Sequence, residues 1–272
     1  MMSVLPLFAL FFAAAPNPTA IDKFFARMYN FDFVGAHSIV DAHLRAKPAD
    51  GFGHAVRASA FLFQELHRLR ILESEFFAED KRFIAKKKLK PDPQTRDVFE
   101  ASLQTADREA QRVIASNPKD AEALFTMSLV ASLRADYMAL IDKRQLQSLT
   151  YIKESQSWSL RLLQSHPNFA DAELTGGACE YLLGSMPFFV RWFVRVDGVE
   201  GQKASAAPKL ERVAASGRYL GPFARILLAI VHLREKQPAR SLAILNQLSR
   251  EYPQNPLFRS EAKKVAALIE GN

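Results

Sequence analysis

Apolar and polar positions alternate along this chain with the period of an α-helix. In PFARILLAIVHLREKQPARSLAILNQLSREYPQN, residues 222–255, large apolar side chains recur three and four apart in two blocks, and the polar stretch around Lys236 to Pro238 separates them. That spacing predicts two amphipathic helices joined by a short turn. Comparable runs fill most of the sequence. Only 11 glycines occur in 272 residues, far from the turn-dense pattern of a sandwich or barrel. The predicted class is all-α.

Four junctions punctuate the pattern: RAKPADGF, ASNPKDAE, QSHPNFAD and REYPQNPL. Each places a proline, Pro48, Pro118, Pro167 or Pro253, just after an amphipathic run and just before polar residues that open another. Proline forces the preceding residue out of helical geometry, and the polar residues after it can cap the next helix. Ten residues beyond the first three prolines stand Ala58, Ser128 and Gly177, and twenty-four before the last stands Ala229. A small residue at a fixed helical turn lets a neighbouring helix approach closely.

This register resembles the tetratricopeptide repeat, a unit of about 34 residues made of two antiparallel helices. In that frame the small position of the second helix falls on Ala36, Ala106, Ser155 and Ser241. The resemblance implies a right-handed superhelical stack, a TPR-like α-solenoid of about five helix pairs over residues 17–272. The prolines are 70, 49 and 86 residues apart, so insertions are expected near 71–92, 139–150 and 184–200. It also implies an inner groove lined by the first helix of each pair. Its candidate binding residues are Phe52, Leu62, Phe125, Leu129, Leu174, Tyr181, Phe223, Ile226 and Ile230. They are apolar, whereas a reader of acidic peptide tails needs clustered Lys and Arg. A groove of this character calls for a cover: part of the chain itself, a partner helix or a lipid-like ligand.

One such cover is written into GSMPFFVRWFVRVDG, residues 184–198. Helical spacing puts Arg191 and Arg195 on one narrow face, while Phe188, Phe189 and Trp192 share the rest. An internal brace, a ligand lid and a helix docked on a membrane surface all fit this pattern, the brace best.

Charge adds little. The formal net charge is +7, and much of it lies in KRFIAKKKLK, where Lys81, Arg82, Lys86, Lys87, Lys88 and Lys90 meet no acid. Glu73, Glu75, Glu79 and Asp80 precede them, and acids followed by bases is the order a helix dipole favours, so a solvated surface helix is expected. A phosphate-binding patch is the alternative. Phe83 is the one aromatic residue in the run, which argues against nucleic acid, because single strands are read by stacking.

The first fifteen residues, MMSVLPLFALFFAAA, read as a signal peptide ending near Ala15, which predicts export to a periplasm or to the outside; a hydrophobic first helix in a cytoplasmic protein is the alternative. The single cysteine cannot form an internal disulfide. No metalloprotease, P-loop, nucleophile-elbow or paired-cysteine motif occurs, and the six histidines are scattered. No cofactor, metal or catalysis is expected. The sequence therefore points to a non-catalytic interaction or scaffold module that binds another protein or peptide, with an apolar-ligand carrier or membrane tether as the alternative.

Overall fold

The computed structural model describes residues 17–73, 90–178 and 203–271, which contain helices, turns and no strand. In chain order come α1 (Ala20–Tyr29), α2 (Phe33–Ala46), α3 (Gly51–Arg68), α4 (Pro93–Ser116) and α5 (Ala121–Asp136). A π-helical turn, Tyr137–Ile141, then leads to α6 (Gln145–Ser165). The 3-10 turn Ala170–Ala172 opens a helical stretch, 173–178, and α7 (Lys203–Ser216), α8 (Gly221–Arg234), α9 (Pro238–Glu251) and α10 (Pro256–Glu270) follow. Successive helices pack on one another from α1 to α6 and from α7 to α10, and α3 also packs on α5.

Two kinds of junction recur along the chain, and the turn between α7 and α8 belongs to neither. The first is the proline turn. Lys47, Asn117, His166 and Tyr252 each end a helix in nearly one conformation, with φ/ψ of −134/71°, −133/87°, −137/73° and −123/68°. Proline follows each. Three residues after the helix end, the backbone N–H of Asp50, Asp120, Phe169 and Asn255 closes the turn at 3.0–3.1 Å onto the carbonyl of that end residue. Proline presets the turn dihedral, and Asp50, Asp120 and Asn255 then cap the next helix with their side chains. At the third junction Phe169 has no such side chain, and a 3-10 turn follows.

The second kind of junction carries a left-handed residue: Phe31, Arg70, Lys143 or Lys236, with φ between 57° and 59°. Three of these are Schellman closures, in which Asp32, Ile71 and Gln237 donate to the carbonyl five residues back at 3.0, 2.9 and 2.8 Å. At Lys143 the π-helical turn shifts the closure, and Arg144 donates to Met138. That turn and the first part of the long α6 occupy residues 137–150.

The small residues singled out by spacing are all buried. Ala36, Ala58, Ala106, Ser155 and Ser241 have no exposed surface, Ser128 and Ala229 almost none, and a Cβ on Gly177 would come within 3.1 Å of Leu210. Between α5 and α6 this closeness is sealed by hydroxyls. Ser128 Oγ lies 3.0 Å from Ser155 Oγ and 2.8 Å from Ser159 Oγ, and Ser132 Oγ lies 2.7 Å from Ser155 Oγ. Ser155 also donates to the Ser128 carbonyl at 2.8 Å. Residues 121–141 are apolar and long enough to cross a membrane, yet most of that surface is buried inside the fold.

The chain folds back on itself. Tyr29 on α1 donates its hydroxyl to the Tyr219 carbonyl at 2.8 Å, and Asn255 Nδ2 donates to the Tyr29 carbonyl at 2.9 Å. Arg218 binds Asp22 at 3.0 Å, and Gln254 N–H donates to Asn30 Oδ1 at 3.2 Å. The first helix is thereby bound to the turns that precede α8 and α10.

Candidate functional site

The turn between α7 and α8, Gly217 to Leu220, organises the centre of the molecule. Asp171, almost fully buried, accepts the N–H groups of Arg218, Tyr219 and Leu220 at 3.0, 3.3 and 2.8 Å. It caps α8 from outside, since Leu220 offers no side-chain cap of its own. Burial outweighs these three donors and pushes the Asp171 carboxyl above its ordinary value. Gly217 makes the approach feasible, because a Cβ there would stand 2.7 Å from Asp171 Oδ1.

Held this way, the Tyr219 ring meets Phe25 at 5.3 Å and Phe52 at 5.2 Å, while Phe125 packs on Phe169 at 5.0 Å and on Phe52 at 5.5 Å. These contacts decide the fate of the expected groove. Phe52, Leu62 and Phe125 are core residues, 3%, 1% and 3% exposed, and offer no open surface: Tyr219, Phe169 and α1 close over the two phenylalanines, and Leu62 packs among Leu66, Ile71, Phe99 and Leu103. Their spacing from the prolines said nothing of that turn. Leu129, Leu174, Phe223, Ile226 and Ile230 are half-buried. Phe223, Ile226 and Ile230 form one stripe along α8, spaced three and four apart, and Phe223 meets Phe63 of α3 edge-on at 5.6 Å. Leu174 packs beside the cluster of Leu210, Leu228 and Val231.

Tyr181, Phe188, Phe189, Arg191, Trp192 and Arg195 lie outside the described residues, as do Lys81, Arg82, Lys86, Lys87 and Lys88 of the basic run. Lys90 is described: it is exposed, and its carbonyl accepts a bond from Arg68 at 2.8 Å.

Electrostatics elsewhere serve packing. The Arg218 guanidinium and a capping box with Thr19 hold the Asp22 carboxyl down at about 2, against some desolvation. Glu65, buried on α3, is gripped by Arg68 and by the Asp92 N–H. Each histidine has a local partner: His37 bonds Gln64, His43 bonds Asp50, His54 bonds the Pro48 carbonyl, His166 bonds Ser165 and His232 bonds Gln237, while His67 packs on Phe31. Among the described residues no group of three or more His, Cys, Asp or Glu is placed to hold a metal. An open depression of about 350 Å³ lies beside Asp41, Leu44, Arg45, His54 and Arg57, where Arg57 already donates to Asp41 and Ser102 at 2.8 and 2.9 Å.

Tyr219 and the α1 contacts were not visible in the spacing from the prolines. The one local signal is the stretch GRYLGP, an aromatic residue between two glycines, which marks a tight turn with a large side chain to place. No family model matches the chain, and no curated protein or solved structure matches it.

Proposed function

We propose that this chain is a non-catalytic interaction module: a stack of tetratricopeptide-like helix pairs that binds another protein or peptide. The observation that carries the reading is the alternation of junctions, four proline turns of one conformation with four left-handed turns. A chain built from one hairpin unit, with its small residues buried at each contact, is organised to present surface, and its histidines are occupied locally. The α8 stripe of Phe223, Ile226 and Ile230 is the favoured contact. It suits an apolar partner segment, because among the described residues of α8 the basic side chain within the stripe's span, Arg225, is already bound to Glu251. The same stripe would suit a lipid-like ligand, which is the second reading. Export fits this picture: removal of a leader through Ala15 leaves α1, which begins at Ala20 behind a Thr19 cap, intact.

A photo-crosslinking residue at Ile226, compared with one at the exposed Arg108, tests the reading in cells. A protein adduct at Ile226 alone, lost with Ile230→Asp, is the expected result. An adduct with lipid alone would move the protein to the carrier reading, and equal labelling at both positions would remove the α8 stripe as a site.

A further inference from the structure

The depression of about 350 Å³ beside α2 and α3 is lined by Asp41, Leu44 and Arg45 of the first helix and His54 and Arg57 of the second. Helical spacing assembles it. Asp41 and Arg45 stand one turn apart on α2, and His54 and Arg57 one turn apart on α3.

Arg57 is held on three sides. Its Nε donates to Asp41 Oδ1 at 2.8 Å, its Nη1 donates to Ser102 Oγ of α4 at 2.9 Å, and its guanidinium lies over the Phe61 ring at 5.2 Å. Ser102 gives its own proton to the Val98 carbonyl at 2.7 Å, so toward Arg57 it acts as an acceptor. The Arg57 side chain is still 27% exposed, and among the described residues its Nη2 has no acceptor. Arg45 is exposed and forms no ion pair among the described residues. His54 Nε2 lies 2.9 Å from the Pro48 carbonyl, which can only accept, so the ring is fixed as a wall with a proton on that nitrogen.

His54 aside, Arg45 and Arg57 against Asp41 leave the lining with one positive charge in excess. A guanidinium already ordered by the fold loses little freedom on binding, and its planar donors match a flat acceptor with two oxygens. We propose that this depression is a carboxylate-binding site, with Arg57 as the fixed donor, Arg45 as the mobile second cation and Leu44 as apolar lining beside the ligand's carbon chain. The excess of one charge suits a monoanion. A tetrahedral dianion would leave charge uncompensated next to Asp41. The carboxylate is carried either by an acidic side chain of a protein partner or by a small organic acid.

Nitrogen-15 spectra of the arginine Nε–H groups in the full chain test the site, titrated at low salt with acetate, with a blocked tripeptide carrying one glutamate, and with sulfate. The Arg57 signal is expected to move along a saturable curve with a carboxylate, at lower concentration than with sulfate. Tighter binding of the peptide would give the ligand as a partner's side chain, and tighter binding of acetate as a small acid. Arg45→Gln is expected to weaken binding about twofold to fivefold, as loss of an exposed cation does. Arg57→Lys, which keeps the charge and loses the planar fork, is expected to weaken it about tenfold. A shift that stays linear with both carboxylates, saturation by sulfate first, or an Arg45→Gln titration identical to the parent's would overturn the proposal. Should Arg57→Lys fail to fold, Arg45→Gln decides alone, because the Arg45 side chain bonds no other helix among the described residues.

Discussion

Lys236 holds a backbone conformation that most side chains avoid. Its φ of 57° places it in the left-handed region, where a Cβ crowds the following carbonyl at a cost of roughly 1–2 kcal/mol. The turn needs that geometry to close α8 onto α9, and glycine would adopt it without the clash. Lys236→Gly should therefore stabilise the protein by roughly 0.5–1 kcal/mol, the gain being trimmed by glycine's greater freedom in the unfolded chain. Urea denaturation of the two proteins checks this, and an unchanged or lower midpoint would contradict it. Lys236 is exposed, so no packing is lost in the exchange; Phe31 occupies the equivalent conformation but stacks on Phe33 at 5.4 Å and could not be replaced as cleanly.

At the scale of the elements, helix contacts rest on size as much as on apolarity. Ser155 has no exposed surface, and its hydroxyl lies within hydrogen-bonding range of Ser128 and Ser132 across the α5–α6 contact. A leucine there would force the helices apart, at a cost of about 1–3 kcal/mol for overpacking and more for the hydroxyls it strands. Ser155→Ala keeps the close approach and loses only hydrogen bonds, about 1 kcal/mol. Ser155→Leu should thus be clearly the worse of the two, while Ser157→Leu, at an exposed position on the same helix, should stay within about 0.5 kcal/mol of the parent. Thermal melts of the three variants test the ranking. This layer was legible in the sequence, because proline turns and small residues act through near neighbours and leave a fixed spacing. The π-helical turn after α5 was not: nothing in the order of its residues, YMALI, marks the change of hydrogen-bond partner.

Closure of the chain on itself belongs to the whole molecule, and no local pattern announces it. Asp22 reads as a first-turn acid of α1 and Arg218 as a surface base, yet they meet across 196 positions. Tyr29 reads as one more aromatic residue on an amphipathic helix, and its hydroxyl ends buried against the Tyr219 carbonyl, with its ionisation driven well above the ordinary range by desolvation. Local spacing describes how one helix meets the next; whether α1 reaches the turns before α8 and α10 depends on every helix contact between. For the same reason Phe52 and Phe125 were legible as inward-facing and illegible as core, since the ring that covers them comes from a turn far along the chain. The account therefore rests on one geometric statement, that α1 is docked on the turns before α8 and α10.

That statement is tested most directly by cysteines at positions 22 and 218, in a Cys179→Ser background, joined by a short bismaleimide at low protein concentration. The account predicts efficient crosslinking within one chain and a raised melting temperature, because the link closes a long loop already closed in the native state. No crosslink, or one formed only between chains, would contradict it.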